Sequence, residues 1–494
     1  MLPPFELRSK GQSIWLDQIS RSLLNSGKLR RSIEEFGVTG LTSNPTIFDN
    51  AIGNSRDYDA AIQRGLAEGL SGEELFMRIA LEDLREAADL FRPEFERTAG
   101  ADGWVSLEVS PLLAYDPAST VVAAERLWKQ AGRPNLFIKI PGTEPGLSAI
   151  EESIFRGVPV NVTLLFSADQ YRAAAQAYMR GIERRLTAGL DPQVRSVASL
   201  FVSRWDKAVL GKVPEALRNR LGYAVALQTY RAYNELLASE RWQALARAGA
   251  RPQTLLWAST GTKDPQASDV LYVELLAAPN TITTMPEETL LAFVDHGRVG
   301  ALLPPDGRGA EELLEQFRQA GVDVAALAAR LQREGADAFA HSWNSLRAGA
   351  ARRSVARPKR SVAPCSLCAC KTYPHGEPCG STARRWASAT SDSGSLRTPS
   401  EPAALPSRRQ AGGSIFPKTA SRQTPSNCSC AWPKRAACRS AARPCFAASG
   451  STPPRAGRPC TWPCVCPARA RWWWARRTWC HRCMPCSIAW PTSP

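Results

Sequence analysis

Cysteine is missing from the first 350 residues; all fourteen cysteines lie between Cys365 and Cys486. Disulfides are thereby excluded from residues 1–350, and a cysteine-free stretch of that length fits a reducing, cytoplasmic setting. Also missing is any uninterrupted apolar run long enough to span a bilayer. The opening MLPPFELRSKGQSIWLD has no apolar core of signal-peptide length, so neither a membrane protein nor an exported one is expected. No short internal repeat with a solenoid period is visible. Residues 1–350 contain no glycine-rich loop of nucleotide type and no cluster of metal ligands. His296 and His341 are isolated histidines, of the kind that usually sit on a surface or in a core.

Acidic residues are nearly absent from residues 351–494, where Glu377, Asp392 and Glu401 face 24 lysines and arginines. Residues 1–350 hold 38 basic and 43 acidic residues, so the net charge of +16 belongs to the tail alone. Its segments CSLCAC and RARWWWARRTWCHRCMPCSIAWPTSP show neither helical nor strand periodicity. Three readings compete for it. A disulfide-rich module conflicts with the cysteine-free body. A zinc or nucleic-acid module lacks regular paired ligand spacing. Translation of a GC-rich gene in the wrong frame explains the excess of Arg, Pro, Ala, Cys and Trp, and is favoured. Two regions are therefore expected: a domain over 1–350, and a tail over 351–494 never selected to bury a core. Binding of nucleic acid, through tail charge and stacking on Trp472, Trp473 and Trp474, is the minor reading.

The body alternates strand-like and helix-like segments. Strand candidates are SIWL (13–16), VTGLT (38–42), WVSLEV (104–109), LFIKI (136–140), VPVNVTLL (158–165), SVASLFV (196–202), TLLWAS (254–259) and TITTM (281–285). Amphipathic stretches such as 72–91, 119–132 and 167–186 lie between them. Eight strands with intervening helices predict an α/β fold, a (β/α)8 barrel. Helical stretches at 310–321 and 324–349 follow the eighth strand and are expected to pack outside it.

Chemistry in such barrels gathers at the C-terminal ends of the strands. Polar residues recur there: Asp17, Thr42 and Asn44, Glu108, Lys139, Asn161 and Thr163, Ser199 and Arg204, Ser259 and Lys263. One polar residue on a strand is usually structural; seven consecutive strands doing so read as a polar pocket. Lys139 interrupts the apolar run LFIKI, and an unpaired buried ammonium is costly. A desolvated lysine loses basicity and can attack a carbonyl as a neutral amine. The competing reading is a buried ion pair with Glu108, and the residues alone leave the two level.

GVTGLTSNPTIFDNAI (37–52), LFIKIPGT (136–143), VNVTLLFS (160–167) and LLWASTGTKDP (255–265) together resemble transaldolase in its longer bacterial form. SERWQALARAGARPQ (239–253) and NTITTMPEETLLAF (280–293) extend the resemblance, which covers about residues 5–348. It implies that Lys139 forms a Schiff base with a ketose phosphate and that Asp17 handles the hydroxyl proton during carbon–carbon cleavage. Glu108 would work with a water held by Thr163; Asn44, Asn161 and Ser106 would orient the substrate. Arg204 and Ser199 would hold the phosphate. Lys263 stands where many relatives have arginine, whose bidentate fork a lysine lacks, and Ser110 stands where shorter ones have aspartate.

The implied reaction moves a dihydroxyacetone unit from sedoheptulose 7-phosphate to glyceraldehyde 3-phosphate, in the pentose phosphate pathway. No metal or organic cofactor is implied, the imine being the electron sink. Sugar phosphates are the expected partners, and a homodimer stands as a candidate assembly. An aldolase releasing free dihydroxyacetone is the nearest rival, and the water-activating role of Glu108 speaks for transfer. Some long transaldolases are fused to phosphoglucose isomerase, and the tail is open to being a mis-framed remnant of that partner.

Overall fold

The computed structural model describes residues 1–355. Eight parallel strands close into a barrel: β1 (Gln12–Leu16), β2 (Gly40–Leu41), β3 (Val105–Glu108), β4 (Leu136–Pro141), β5 (Val160–Leu165), β6 (Ser196–Phe201), β7 (Gln253–Ala258) and β8 (Thr281–Met285). Each strand pairs with the next in sequence, and β8 returns to β1 through Gln12↔Thr281 to Leu16↔Met285. The α/β barrel expected from the alternating pattern is the fold found. The expectations for the tail, and its division from the body, lie outside the described residues.

Apolar content explains the strands. Every residue of β3, β4, β5 and β6 is buried, as a parallel sheet sheathed in helices requires. Side-chain caps start the helices between them. Asp116 accepts from the Ser119 amide, Thr143 from Gly146 and Ser167 from Gln170, so each satisfies an orphan donor of the first turn.

Three segments differ from the sequence reading. Strand β2 has two residues where five were expected. Its Gly40 lies against the Trp15 ring, so close that an added Cβ would come within 2.5 Å of the indole. The helix expected over 72–91 runs to Arg97 through Pro93. Arg8 binds Glu94 at 3.0 Å and holds that extra turn to the body, which offsets the hydrogen bond a proline removes. The last helix, Val324–Val355, does not pack outside the barrel alone. Gln332 Nε2 donates to Gly142 O (2.9 Å) and Leu164 O (3.0 Å), just past β4 and within β5, so the helix crosses the C-terminal mouth.

At the opposite end, the strand starts carry a buried polar layer. Gln12 Nε2 donates to Leu276 O and Thr281 Oγ1, both at 2.8 Å. Asn135 Nδ2 donates to Ala88 O (2.8 Å) and Gly103 O (2.9 Å). Gln253 Nε2 donates to Ser196 Oγ (2.9 Å), whose hydroxyl donates to Val160 O (2.8 Å). No helix among the described residues is long and apolar enough to cross a membrane.

Candidate active site

Strand register brings the mouth residues together. Glu108 on β3 stands beside Lys139 on β4, and Lys139 beside Asn161 on β5. Parallel neighbours in register share a direction, so these side chains converge on one interior. Lys139 is 4% exposed. Its Nζ donates to the Ser43 carbonyl at 3.0 Å and stands 3.6 Å from Glu108 Oε2. The latter distance is an ion-pair contact too long for a hydrogen bond. The buried Lys139–Glu108 pairing of the competing reading is thus present, but loose.

Glu108 is the unusual member. Neither of its buried carboxylate oxygens has a hydrogen-bond partner among the described residues, and the same holds for Thr163 Oγ1. Burial pushes the Glu108 carboxyl up to about 7, against the opposing pull of the Lys139 ammonium. A carboxyl that titrates near neutrality can both take and give a proton at working pH. Strand β5 is irregular beside Thr163: its register to β6 shifts between Val162 and Leu165, and Leu164 has φ +60°. Such a bulge re-aims side chains and is common next to active sites.

Two hydrogen-bonded chains flank the pair. Thr42 Oγ1 lies 2.7 Å from both Asp17 Oδ1 and Thr284 Oγ1. Because Thr42 donates to the carboxylate, Thr284 must donate to Thr42, and Asp17 is held in one orientation. On the other side Asn161 Nδ2 donates to Ser106 Oγ (3.0 Å), and Ser199 Oγ donates to Asn161 Oδ1 (2.8 Å). Asn44 lines the cavity with Asp17 and Lys139, and its Oδ1 also caps the helix Pro45–Asn54 by accepting from Ile47 N at 3.0 Å.

The outer part of the cavity is cationic. Arg204, at the start of the helix Ser203–Val209, rests on Phe201 (Cζ to ring centroid 5.0 Å) and on Phe339 (5.7 Å). Arg204 and Lys263 make no hydrogen bond or ion pair among the described residues. A groove continues outward from them past Ser259, Lys207 and Arg330.

Ser199 lines the cavity with Arg204 and Lys263 but gives its hydroxyl to Asn161, while Ser259, with φ +56°, lines both that cavity and the outer groove. The sequence reading placed Ser259 among the polar residues of β7 and gave the phosphate role to Ser199. It missed Phe339, Thr284 and the Ser43 carbonyl. A backbone acceptor has no sequence signature, and Phe339 lies on a helix whose crossing of the mouth was not foreseen. Among the described residues no group of three or more His, Cys, Asp or Glu side chains is arranged to hold a metal ion.

A family model described as Transaldolase/Fructose-6-phosphate aldolase matches residues 14–349. The chain is 44% identical over 353 residues to a protein named transaldolase from Parafrankia sp., covering 70% of this chain and 96% of that one. It is 45% identical to transaldolases from Saccharopolyspora erythraea (69% and 94% covered) and Thiobacillus denitrificans (68% and 96%).

Proposed function

The chain belongs to the transaldolase/fructose-6-phosphate aldolase family and is a transaldolase, and from that premise we propose that Lys139 is its Schiff-base nucleophile. The neutral amine adds to the C2 carbonyl of sedoheptulose 7-phosphate and expels water to give the imine. Asp17 then takes the C4 hydroxyl proton as the C3–C4 bond breaks, erythrose 4-phosphate leaves, and the electron pair is delocalised into the imine. The three-carbon unit adds to the aldehyde of glyceraldehyde 3-phosphate, and hydrolysis of the new imine releases fructose 6-phosphate.

Glu108 and Thr163 hold and activate the water lost and regained at the imine; their unpartnered oxygens support this reading. Asn44 and Asn161 orient the substrate, Asn161 through its bonds with Ser106 and Ser199. Arg204 takes the phosphate with Ser259 and Lys263, which share its rim. The same proposal makes the enzyme cytoplasmic and a homodimer, for which sedimentation equilibrium is the test.

The observation that carries the proposal is a lysine Nζ 3.6 Å from a carboxyl titrating near 7 inside a closed sheet. Borohydride reduction in the presence of fructose 6-phosphate should fix the sugar on Lys139, and Lys139→Met should remove all labelling while the protein stays folded. Label retained by Lys139→Met, on another residue, would end the proposal. Asp17→Ala should still be trapped with a ketose phosphate but cleave it slowly.

A further inference from the structure

The helix Val324–Val355 is fastened across the mouth at two points. Gln332 grips the carbonyls of Gly142 and Leu164. Ten residues later, about 15 Å along a helix, the Ser342 hydroxyl meets Thr46 Oγ1 at 2.8 Å, in the first turn of the helix that Asn44 caps. Between these fastenings Phe339 points down into the cavity, 3% exposed. Its ring centroid is 6.0 Å from Lys139 Nζ and 5.7 Å from Arg204 Cζ, so one ring lies within cation–π range of both the attacking nitrogen and the phosphate-binding cation.

We infer that Phe339 is a specificity-determining residue that decides whether the three-carbon intermediate on Lys139 is passed to an aldehyde or lost to water. The inference rests on the Schiff-base reading of Lys139. After cleavage the intermediate has two fates. Its C3 can add to an acceptor aldehyde, forming a carbon–carbon bond and placing a proton on the new hydroxyl. Alternatively C3 takes a proton from solvent, water adds to the iminium carbon, and the Lys139 amine leaves dihydroxyacetone behind. Imine hydrolysis by the water that Glu108 and Thr163 hold is common to both fates, so the second differs in needing a solvent proton at C3. The aromatic face of Phe339, in the cavity beside Lys139, keeps bulk water from that carbon, and its negative quadrupole favours the cationic iminium.

The test is the ratio of dihydroxyacetone released from fructose 6-phosphate without acceptor to transfer measured with erythrose 4-phosphate. Phe339→Ala should raise that ratio roughly tenfold, the lower end of what a lost apolar contact does to discrimination. Phe339→Leu, which keeps bulk, should stay close to wild type. Gln332→Ala leaves the ring in place but frees one fastening, and should move the ratio in the same direction by less; it also serves if Phe339→Ala does not fold. Parallel loss of both activities in Phe339→Ala, with the ratio unchanged and borohydride labelling of Lys139 intact, would overturn the inference alone. Absence of labelling in the wild type would instead remove the reading beneath it.

Discussion

Both ends of the barrel bury polar side chains, and they differ in whether a whole charged group is left without hydrogen bonds. At the strand starts Gln12, Asn135, Ser196 and Gln253 are buried, and each makes at least one hydrogen bond to backbone or to a neighbour, although the amide oxygens of Gln12, Asn135 and Gln253 have no partner among the described residues. At the strand ends the side chains of Glu108 and Thr163 are just as buried, yet accept or donate no hydrogen bond among the described residues. Arg204 and Lys263, above them, make no close ion pair among the described residues, although Asp17, Glu108 and Glu334 act on Arg204 from a distance. Leaving buried polar groups unpaired costs stability, so one end is organised for folding and the other keeps its bonding capacity for a substrate.

The largest effect should come from the group most out of balance. Glu108→Gln should lower kcat by about 10²–10⁴-fold, the usual worth of a general acid–base group, as measured by steady-state transfer. Its pH dependence sharpens the test. The Glu108 carboxyl is raised to about 7, so ionised base accumulates as pH climbs through that value. The wild-type kcat/KM should rise across pH 7 and the variant should lose that limb. The sign for stability is the reverse. A carboxyl raised above its unfolded value favours the fold at low pH, and that contribution is lost between about 4.5 and 7 as it ionises. The amide has no such loss, so Glu108→Gln should gain on wild type in thermal melts as pH rises from about 4.5 to 7 and hold that gain above it. A variant both inactive and less stable above pH 7 would place Glu108 with the structural end.

Arg204→Ala comes next. The loss of a charge-assisted contact of about 1.5–3 kcal/mol should raise KM for phosphorylated donors by one to two orders of magnitude. Dihydroxyacetone transfer from unphosphorylated fructose should change far less. Equal damage to both donors would mean that Arg204 supports the fold through Phe201 and Phe339 and does not bind the phosphate.

Asn135→Ala probes the opposite end. It strands the carbonyls of Ala88 and Gly103 and should cost about 1–3 kcal/mol of stability, read by denaturant unfolding, while kcat per folded molecule stays at the wild-type value. A fall in kcat would break the division of labour between the two ends.

How much of this division can be read from the chain depends on where each residue sits along its strand. Seven of the eight strands are visible because short apolar runs are punctuated by Gly, Pro and Asn; β2 shrank because Gly40 yields to the Trp15 ring. Lys139, Glu108 and Asp17 stand out because charge inside an apolar run is costly. Ser199 and Ser259 cannot be sorted from sequence. Ser199 lies inside β6 and Ser259 just past β7, and only their surroundings show that Ser199 gives its hydroxyl to Asn161 while Ser259, with its left-handed backbone, reaches the outer groove. Gln332 and Phe339 were hidden for a related reason: the periodicity of an amphipathic helix is the same whether it lies on the barrel wall or over its mouth.

The smallest effect concerns Lys263, the lysine of the STGTK segment after β7. The side chain is exposed at the rim, near Gly261 and Pro286. An ammonium offers a point charge with no planar fork, so it supplies attraction without fixing orientation. Lys263→Ala should therefore raise KM only about two- to threefold at low ionic strength, as suits an exposed charge worth well under 1 kcal/mol. The difference should fade as salt shortens the screening length to a few ångströms. Lys263→Arg should tighten phosphate binding if the groove lets its fork reach the same oxygens as Arg204. A salt-independent loss of tenfold or more in Lys263→Ala would show instead a desolvated contact, and the lysine would then belong with Arg204 in the binding machinery and not to the entrance.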